Sequence, residues 1–296
     1  MRRFESDLGL FCPGGGTVYA EDLKSLTLRV CGFESHPGHC SYNILINMGN
    51  VFTKAINAHF FKTWNPEMSY VLGYITADGC ISADKKRKNN PLTLNITSVE
   101  KKHLHRIRKA LNSTHKISKK SGGYSNVAYQ FQARNPIITQ DLIKLGILPR
   151  KSHNLGPIEV PNKYFPDFVR GFFDGDGTVY IYKVNGTRQI KAGFVSSSLP
   201  FITRFNQQLC KNLNISTKSI HRVVDKRKNR MIQYDICFYI DDCEKLANFM
   251  YENSSTLFLP RKYRIFKKWK LMKRRHYIKQ NYPSKIGWRL NERITV

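Results

Sequence analysis

The sequence predicts an α+β fold of two pseudo-two-fold related, duplicated αββαββα units. Their antiparallel sheets are expected to form a saddle-shaped surface with the helices behind it. Three observations support this fold class. A similar phrase occurs at Tyr70–Gly79 and again at Phe168–Gly177. The same order of helical and alternating segments follows each copy, and Leu-Pro-Arg-Lys closes both units, at 148–151 and 259–262.

Each copy of the phrase is expected to form a helix that ends in Asp-Gly. Small residues recur four positions apart, Gly73 with Ala77 in the first copy and Gly171 with Gly175 in the second. This spacing puts them on one face of a helix, where two backbones can approach closely. The glycine after each aspartate suits a helix end. The two helices are therefore predicted to pack against each other along their small faces.

Such packing would place Asp78 and Asp176 side by side. Two close carboxylates repel each other, and each also sits at the partial negative end of a helix dipole. A hard divalent cation relieves both effects, and Mg2+ (or Mn2+) is expected because it takes carboxylate oxygens and bridges to phosphate. In a chain of net charge +28, a metal site of this kind points to nucleic-acid cleavage.

In the first unit, local signals mark each element in turn. Asn65 is a suitable cap and Pro66 a suitable first residue for the motif helix. Alternating apolar residues after the basic turn predict a strand, and leucines and isoleucines at helical spacing predict the helix after it. The expected elements are a helix and strand over 65–83, a strand at 92–98, a helix at 99–112, a hairpin at 115–133 and a helix at 136–145.

The second unit repeats this order. Pro166 is expected to open the motif helix, and Asn185-Gly186 is a strong hairpin turn. The expected elements are strands at 178–183 and 188–197, a helix at 199–213, a hairpin of 218–225 with 231–240, and a helix at 241–253.

Five segments follow from this organisation. They are a poorly defined N-terminal extension at 1–52, a first repeat at 53–151, a linker at 152–165, a second repeat at 166–262 and a basic C-terminal helix at 263–296. Residues 261–296 hold 13 Lys or Arg and one acid, Glu292, which favours a helix that lies along a nucleic-acid backbone.

The charge balance, with 49 Lys+Arg against 21 Asp+Glu, is explained by a polyanionic partner, and nucleic acid is favoured over a membrane because no apolar run is long enough to span one. The first residues lack an apolar signal segment, and the seven cysteines have no framework spacing. We therefore expect reduced thiols in a cytoplasmic protein, bacterial-type or organellar and not secreted. Structural zinc at Cys31, His36, His39 and Cys40, with Cys12 upstream, is not expected, because the spacing matches no standard pattern.

The two phrases resemble the paired signature of LAGLIDADG homing endonucleases, in the single-chain form that carries both motifs. The resemblance covers roughly residues 56–262 and departs at Tyr74-Ile75-Thr76, where the second copy reads Phe172-Phe173-Asp174. It implies a monomeric, metal-dependent endonuclease that cuts both strands of a long asymmetric DNA site. It also implies that the chain is encoded within an intron and promotes intron homing.

The resemblance implies further roles in the site. Ala77 and Gly175 would supply backbone oxygens to the metal, and Ser98 and Ser197, at matching strand ends, would position water. Family members commonly place a Lys or Arg from each half near the scissile phosphate. The candidates for that cation are Lys119 or Arg134 in the first half, and Lys226 or Arg222 in the second.

DNA recognition is expected on the outward faces of the strands, where amide and guanidinium groups suit purine edges in the major groove. These positions are Asn95, Thr97, Gln130, Gln132 and Arg134 in the first unit, and Tyr180, Tyr182, Gln189, Lys191, Arg222 and Gln233 in the second. The basic turns are expected to hold phosphate through Lys86, Arg87, Lys228 and Arg230.

A different class of function stays open at this point. The chain could be a non-catalytic nucleic-acid binder, either an RNA maturase for its host intron or a DNA-binding regulator. Retention of both Asp78 and Asp176 favours cleavage, because a pure binder would gain only repulsion from the pair.

Overall fold

A computed structural model describes residues 55–83, 91–120, 127–151, 155–224, 232–252, 254 and 257–281, with side chains in the last range to 273. The predicted extension at 1–52 lies outside these ranges. Among the described cysteines, those at 80, 210, 237 and 243 are free thiols. None of the helices in these ranges combines the length and hydrophobicity that crossing a bilayer requires.

The first repeat has the predicted order of elements. Its helices and strands are α1 (Pro66–Asp78), β1 (Gly79–Ala83), β2 (Leu92–Ser98), α2 (Lys101–Ala110), β3 (Ile117–Lys120), β4 (Ala128–Ala133) and α3 (Pro136–Lys144).

The second repeat has the same order after a short 3-10 turn at Asn162–Tyr164. Its elements are α4 (Phe165–Asp176), β5 (Thr178–Val184), β6 (Thr187–Ser196), α5 (Leu199–Leu213), β7 (His221–Val223), β8 (Gln233–Tyr239) and α6 (Ile240–Tyr251). A further helix, α7 (Pro260–Asn281), follows. The predicted α+β class with two αββαββα units is confirmed.

Each repeat contains one antiparallel sheet, with four strands in the described ranges. The strand orders are β1-β2-β4-β3 and β5-β6-β8-β7. The edge strands β3 and β7 are therefore farthest from β1 and β5, which directly follow helices α1 and α4. Leu94 and Ile96 of β2 and Phe194 of β6 face inward and are fully buried, as their alternation predicted. The opposite face of each sheet carries the polar positions.

Side-chain caps explain where the helices begin. Asn65 Oδ1 accepts a hydrogen bond from Met68 N at 2.8 Å, Asn135 Oδ1 accepts from Ile138 N at 3.0 Å, and Ser198 Oγ accepts from Phe201 N at 3.2 Å. In each helix a proline stands in the first turn, where no backbone donor is needed.

One predicted strand is shorter than expected. The periodicity indicated a strand over 218–225, whereas β7 covers only His221–Val223. Lys218 instead lies in a loop that hydrogen-bonds to Asn206 of α5. Asn206 Nδ2 donates to Lys218 O at 2.7 Å, and Lys218 N donates to Asn206 Oδ1 at 3.3 Å. These contacts satisfy the backbone groups that a longer strand would have paired.

A buried polar network joins the two motif helices, α1 and α4. Tyr70 Oη donates to Asp174 Oδ2 at 2.6 Å, and Leu259 N donates to the same oxygen at 2.7 Å. His103 Nε2 lies 3.0 Å from Tyr70 Oη. Burial raises the pKa of Asp174 to about 6, although these donors act to lower it.

Candidate metal centre and nucleic-acid interface

Helices α1 and α4 meet backbone to backbone along their glycines. A Cβ atom added at Gly73 would lie 2.1 Å from Phe168 O, and one added at Gly171 would lie 2.0 Å from Tyr70 O. No side chain fits at either place, so only glycine permits this approach. The close packing of the two small faces, which the spacing predicted, is confirmed.

The same contact brings the aspartates at the two helix ends together. A Cβ atom at Gly175 would lie 2.2 Å from Ala77 Cβ and 3.6 Å from Asp78 Cγ. Although Asp78 keeps accessible surface, desolvation of its carboxyl group raises its pKa. Burial, and then the charge of Asp78, raise the pKa of half-buried Asp176 to about 6. The two carboxyl groups therefore interact, as expected of a pair that shares a cation.

Two buried lysines, one at the end of each repeat, hold the carbonyl groups at these helix ends. Lys151 Nζ donates to the oxygens of Thr76 and Ala77, both at 2.6 Å. Lys262 Nζ donates to Phe173 O at 2.6 Å and to the oxygens of Asp174, Gly175 and Gly177. A cation at a helix C-terminus satisfies otherwise unpaired carbonyls and opposes the helix dipole.

These lysines also set the electrostatics of the aspartates. The charges of Lys151 and Lys262 act to lower the pKa of Asp176, against the effect of burial. Burial in turn lowers the pKa of Lys262 to about 8. Neither lysine was predicted from the sequence as a site residue, although each is the lysine of the repeated Leu-Pro-Arg-Lys, which was the signal for them.

The predicted backbone ligands lie at the site but are engaged by lysine. Ala77 O accepts from Lys151, and Gly175 O accepts from Lys262 at 3.2 Å. A carbonyl oxygen has a second lone pair, so it can accept a lysine and still face an ion. Their role as ligands stays a prediction.

A cavity of about 220 Å³ opens beside Asp176. Its lining includes four residues that the sequence analysis selected, Ala77, Asp176, Ser197 and Gln233, together with Lys151. The structure therefore gathers the Asp176 carboxylate, the Ser197 hydroxyl, the Gln233 amide and the Lys151 ammonium group around one cavity.

The two predicted serines are not equivalent. Ser98 ends β2, and its Oγ accepts from Glu100 N at 3.2 Å and from Tyr74 Oη at 3.1 Å. Ser196 ends β6 and accepts from Ser198 N at 3.1 Å in the same local pattern. The position that matches Ser98 is therefore Ser196, and the expected match with Ser197 was wrong by one residue.

The predicted cations that the structure describes do not belong to β1 or β5, the strands that directly follow the two aspartates. Lys119 is in β3, three strands from the β1 that follows Asp78, which is about 14 Å at the usual strand spacing. Arg134 directly follows the last residue of β4. The residue of β4 that pairs with Ser98 is Tyr129, near the other end of the strand. Arg222 is in β7, the far edge of the second sheet. Lys226 is outside the described residues.

The outer face of the first sheet carries a cluster of amides. Gln132 Nε2 donates to Asn95 Oδ1 at 2.7 Å, Gln130 Nε2 donates to the same oxygen at 3.3 Å, and Asn95 Nδ2 donates to Ser82 Oγ at 2.7 Å. Thr97 is the cross-strand partner of Gln130. These predicted residues lie together, but neighbouring side chains bury Asn95, so the glutamines are the more accessible part of the cluster.

The outer face of the second sheet is more aromatic. Tyr180 is the cross-strand partner of Lys191, and Tyr182 Oη donates to Oε1 of its own partner, Gln189, at 3.0 Å. Gln233 stands on the same face of β8, at the edge of the cavity beside Asp176.

The predicted phosphate contacts Lys86, Arg87, Lys228 and Arg230 lie outside the described residues, as does the cysteine and histidine cluster at 12–40.

The raised pKa of Asp176 predicts a measurable effect of pH on stability. A carboxyl group whose folded pKa, about 6, exceeds the unfolded value holds its proton more tightly in the folded state. The free energy of unfolding of the wild type should therefore fall, relative to that of Asp176→Asn, by about 1–3 kcal/mol as pH rises from about 4 to about 7. Urea unfolding without divalent cation at several pH values measures this difference.

Glu159→Gln is the matched control for this pH effect, because the Glu159 side chain is 74% exposed. It should track the wild type across the same pH range. Parallel pH profiles for Asp176→Asn and the wild type would contradict the electrostatic account of the carboxylate pair.

Comparisons with known proteins agree with this architecture. Residues 167–248 match the family model of the LAGLIDADG-like domain. None of the curated proteins compared with the sequence matches it.

Solved structures are also similar to this chain. The LAGLIDADG homing endonuclease I-GzeII in complex with its DNA target is 15% identical, over 74% of this chain and 93% of that one, with a TM-score of 0.49. The LAGLIDADG meganuclease I-AabMI bound to uncleaved DNA is 15% identical, over 72% and 92%, with a TM-score of 0.47. I-SmaMI bound to uncleaved DNA in the presence of calcium ions is 12% identical, over 73% and 94%, with a TM-score of 0.47.

The match over 167–248 falls within the second repeat, and the first repeat has the same order of elements in the same chain. Residues 167–248 of the second repeat therefore resemble a LAGLIDADG-like domain, which confirms the resemblance found in the sequence.

Proposed function

We propose that this protein is a homing endonuclease, which hydrolyses both strands of DNA at one long asymmetric site with divalent metal held by Asp78 and Asp176. One observation carries the proposal: the repeats place these two carboxylates against each other at the ends of closely packed helices. Burial, and then the charge of Asp78, raise the pKa of Asp176, so the charged pair has no structural benefit of its own.

The donor set fits a hard divalent ion. Carboxylate oxygens and backbone carbonyls are ligands that Mg2+ and Mn2+ accept, with water completing the shell. Asp78, Asp176 and the carbonyls of Ala77 and Gly175 would hold the ion. When bound, such an ion supplies an acidified water and stabilises charge on the leaving oxygen.

The residues around the aspartates would hold the substrate and its water in place. Lys151 and Lys262 fix the two helix ends and set positive charge beside them, which favours the approach of a phosphodiester. Ser197 lines the cavity with Asp176, where its hydroxyl can orient a water molecule by hydrogen bonding. Because the two repeats are related by a pseudo-two-fold axis, each repeat would present its own aspartate and lysine to one strand of the DNA.

Recognition would use the outer faces of both sheets. The amides Gln130 and Gln132 suit adenine edges, and the tyrosines and Lys191 of the second sheet offer different chemistry. Because the two faces differ, the target should be asymmetric, and a single chain supplies both halves, so a monomer suffices. We propose that the protein acts in the cytoplasm or an organelle and promotes homing of its host intron.

Cleavage of a randomised duplex-DNA library tests the proposal. With Mg2+ or Mn2+, we expect double-strand cuts at one long motif that is not palindromic. With Ca2+ in place of Mg2+, the same motif should be enriched by binding. Enrichment of a motif without cutting under any divalent ion would overturn the endonuclease and favour a non-catalytic binder, which RNA-binding measurements on intron transcripts would then identify.

A further inference from the structure

Three metal-ligating side chains lie close together on the outer face of the second sheet. His221 of β7 is the direct cross-strand partner of Asp235 of β8, and Cys237 follows two residues later on the same face. One ligand atom from each residue lies within 4.8 Å of the others. Strand β8 is two strands, or about 10 Å at the usual strand spacing, from β5, which follows Asp176. The cluster shares no residue with the aspartate pair.

The distances suit a small tetrahedral ion. His221 Nδ1 lies 3.1 Å from Asp235 Oδ1, and Cys237 Sγ lies 3.9 Å from Asp235 Oδ2. A zinc ion with bonds of about 2.0–2.3 Å holds neighbouring ligand atoms about 3.3–3.8 Å apart. Small side-chain rotations would therefore convert the existing contacts into three metal bonds.

The backbone leaves room for an ion beside the thiol. The residue of β6 opposite Cys237 is Gly193, so no side chain of that residue covers the thiol. The side chain of His221 is 60% exposed and that of Asp235 is 32% exposed. Solvent can therefore reach the His221 and Asp235 side chains, whereas Cys237 is buried beneath them.

The charges also allow an ion to bind. Burial, and then Asp235, raise the pKa of the Cys237 thiol, while the charge of Lys191 acts to lower it. A bound divalent ion would displace the thiol proton, as it does in other thiolate sites. The resulting thiolate and the Asp235 carboxylate carry two negative charges, which offset the ion and outweigh the single charge of Lys191.

We propose that His221, Asp235 and Cys237 form a binding site for a divalent transition-metal ion, with Zn2+ as the expected occupant and water in the fourth position. Imidazole and thiolate ligands select zinc-like ions, whereas Mg2+ requires oxygen ligands. The site differs in chemistry from the aspartate pair and does not depend on the proposed function.

Titration of the protein with Co2+ tests this site. Cobalt takes the place of zinc, and a thiolate ligand gives it a near-ultraviolet charge-transfer absorption band. Because Cys12, Cys31 and Cys40 could also supply thiolates, the titration is made on full-length protein carrying Cys12→Ser, Cys31→Ser and Cys40→Ser. We expect this background protein to show the band and to lose it when Zn2+ is added.

Two further variants in the same background locate the ligands. Cys237→Ser should abolish the thiolate band, and His221→Ala, which removes an exposed side chain, should weaken Co2+ binding by at least about tenfold. Cys80→Ser is the matched control, because Cys80 is an exposed thiol in the first sheet, and it should leave the titration unchanged.

Three outcomes would overturn the proposal. They are a background protein without a band, a band that survives Cys237→Ser, and Co2+ affinity unaffected by His221→Ala. None of these measurements uses DNA, so a negative result leaves the proposed nuclease untouched, and a failed cleavage assay leaves this site untouched.

Discussion

Asp78→Asn and Asp176→Asn are each expected to slow double-strand cleavage severely while leaving DNA binding intact. An amide cannot replace a carboxylate as an anionic ligand to a hard cation. Loss of metal-assisted catalysis removes several kcal/mol of transition-state stabilisation, which is about a hundred- to a thousandfold in rate. DNA affinity should stay equal or rise, because each variant removes a negative charge that would face phosphate.

Cleavage of the selected target under single-turnover conditions, beside a binding titration in Ca2+, measures both effects. Glu159→Gln, which removes an exposed carboxylate elsewhere, should cut at the wild-type rate. Either aspartate variant cutting at that rate would show that the metal centre has been assigned to the wrong residues.

Thermal unfolding gives a second readout of the same variants without DNA. A ligand that binds only the folded state raises stability in proportion to the logarithm of its concentration over its Kd. Mg2+ or Mn2+ should therefore raise the melting temperature of the wild type, and Asp78→Asn should lose most of that increase. An equal response to metal in the variant would contradict the assigned site.

Gly171→Ala is expected to lower the free energy of unfolding by about 2–4 kcal/mol. The added Cβ would lie 2.0 Å from Tyr70 O, a backbone atom that no side-chain rotation can move. Helices α1 and α4 would have to separate, and this cost exceeds the gain of about 1 kcal/mol that alanine brings to a helix interior. Urea unfolding measures the difference.

Gly156→Ala is the matched control, because no atom lies within 4 Å of a Cβ added there. It should be neutral or slightly stabilising. The Gly171 variant should also cut DNA more slowly, since any separation of the helices moves Asp78 away from Asp176. If both glycine variants had equal stability, the close approach of α1 and α4 would be contradicted.

Local sequence signals were sufficient for most of the elements. Strand β2 and helix α5 have the predicted bounds, 92–98 and 199–213. Alternation marks the strand, and in the structure Ser198 caps the start of the helix. The pairing of Asp78 with Asp176 was predicted from small residues at helical spacing. Because this spacing occurs in both motifs, it predicts that the two helices contact each other although they are far apart in the sequence.

The rest of the site depends on long-range structure that a local pattern does not contain. Lys119 was selected without knowing that β4 lies between β2 and β3, which places it at the far edge of the sheet. Lys151 and Lys262 look like surface lysines after a proline. Each is buried because its ammonium group donates hydrogen bonds to the carbonyl oxygens at the end of one helix, α1 for Lys151 and α4 for Lys262.

The hydrogen bond from Tyr70 to Asp174 makes the two repeats complementary rather than interchangeable. Tyr70 corresponds to Phe168 in the other motif, and Asp174 corresponds to Thr76. A dimer of two second repeats would bury both copies of Asp174 against phenylalanine, with no hydroxyl to donate to them. Pairing of two second repeats, between separated halves or between neighbouring chains, therefore costs free energy, and a symmetric dimer of that repeat is disfavoured.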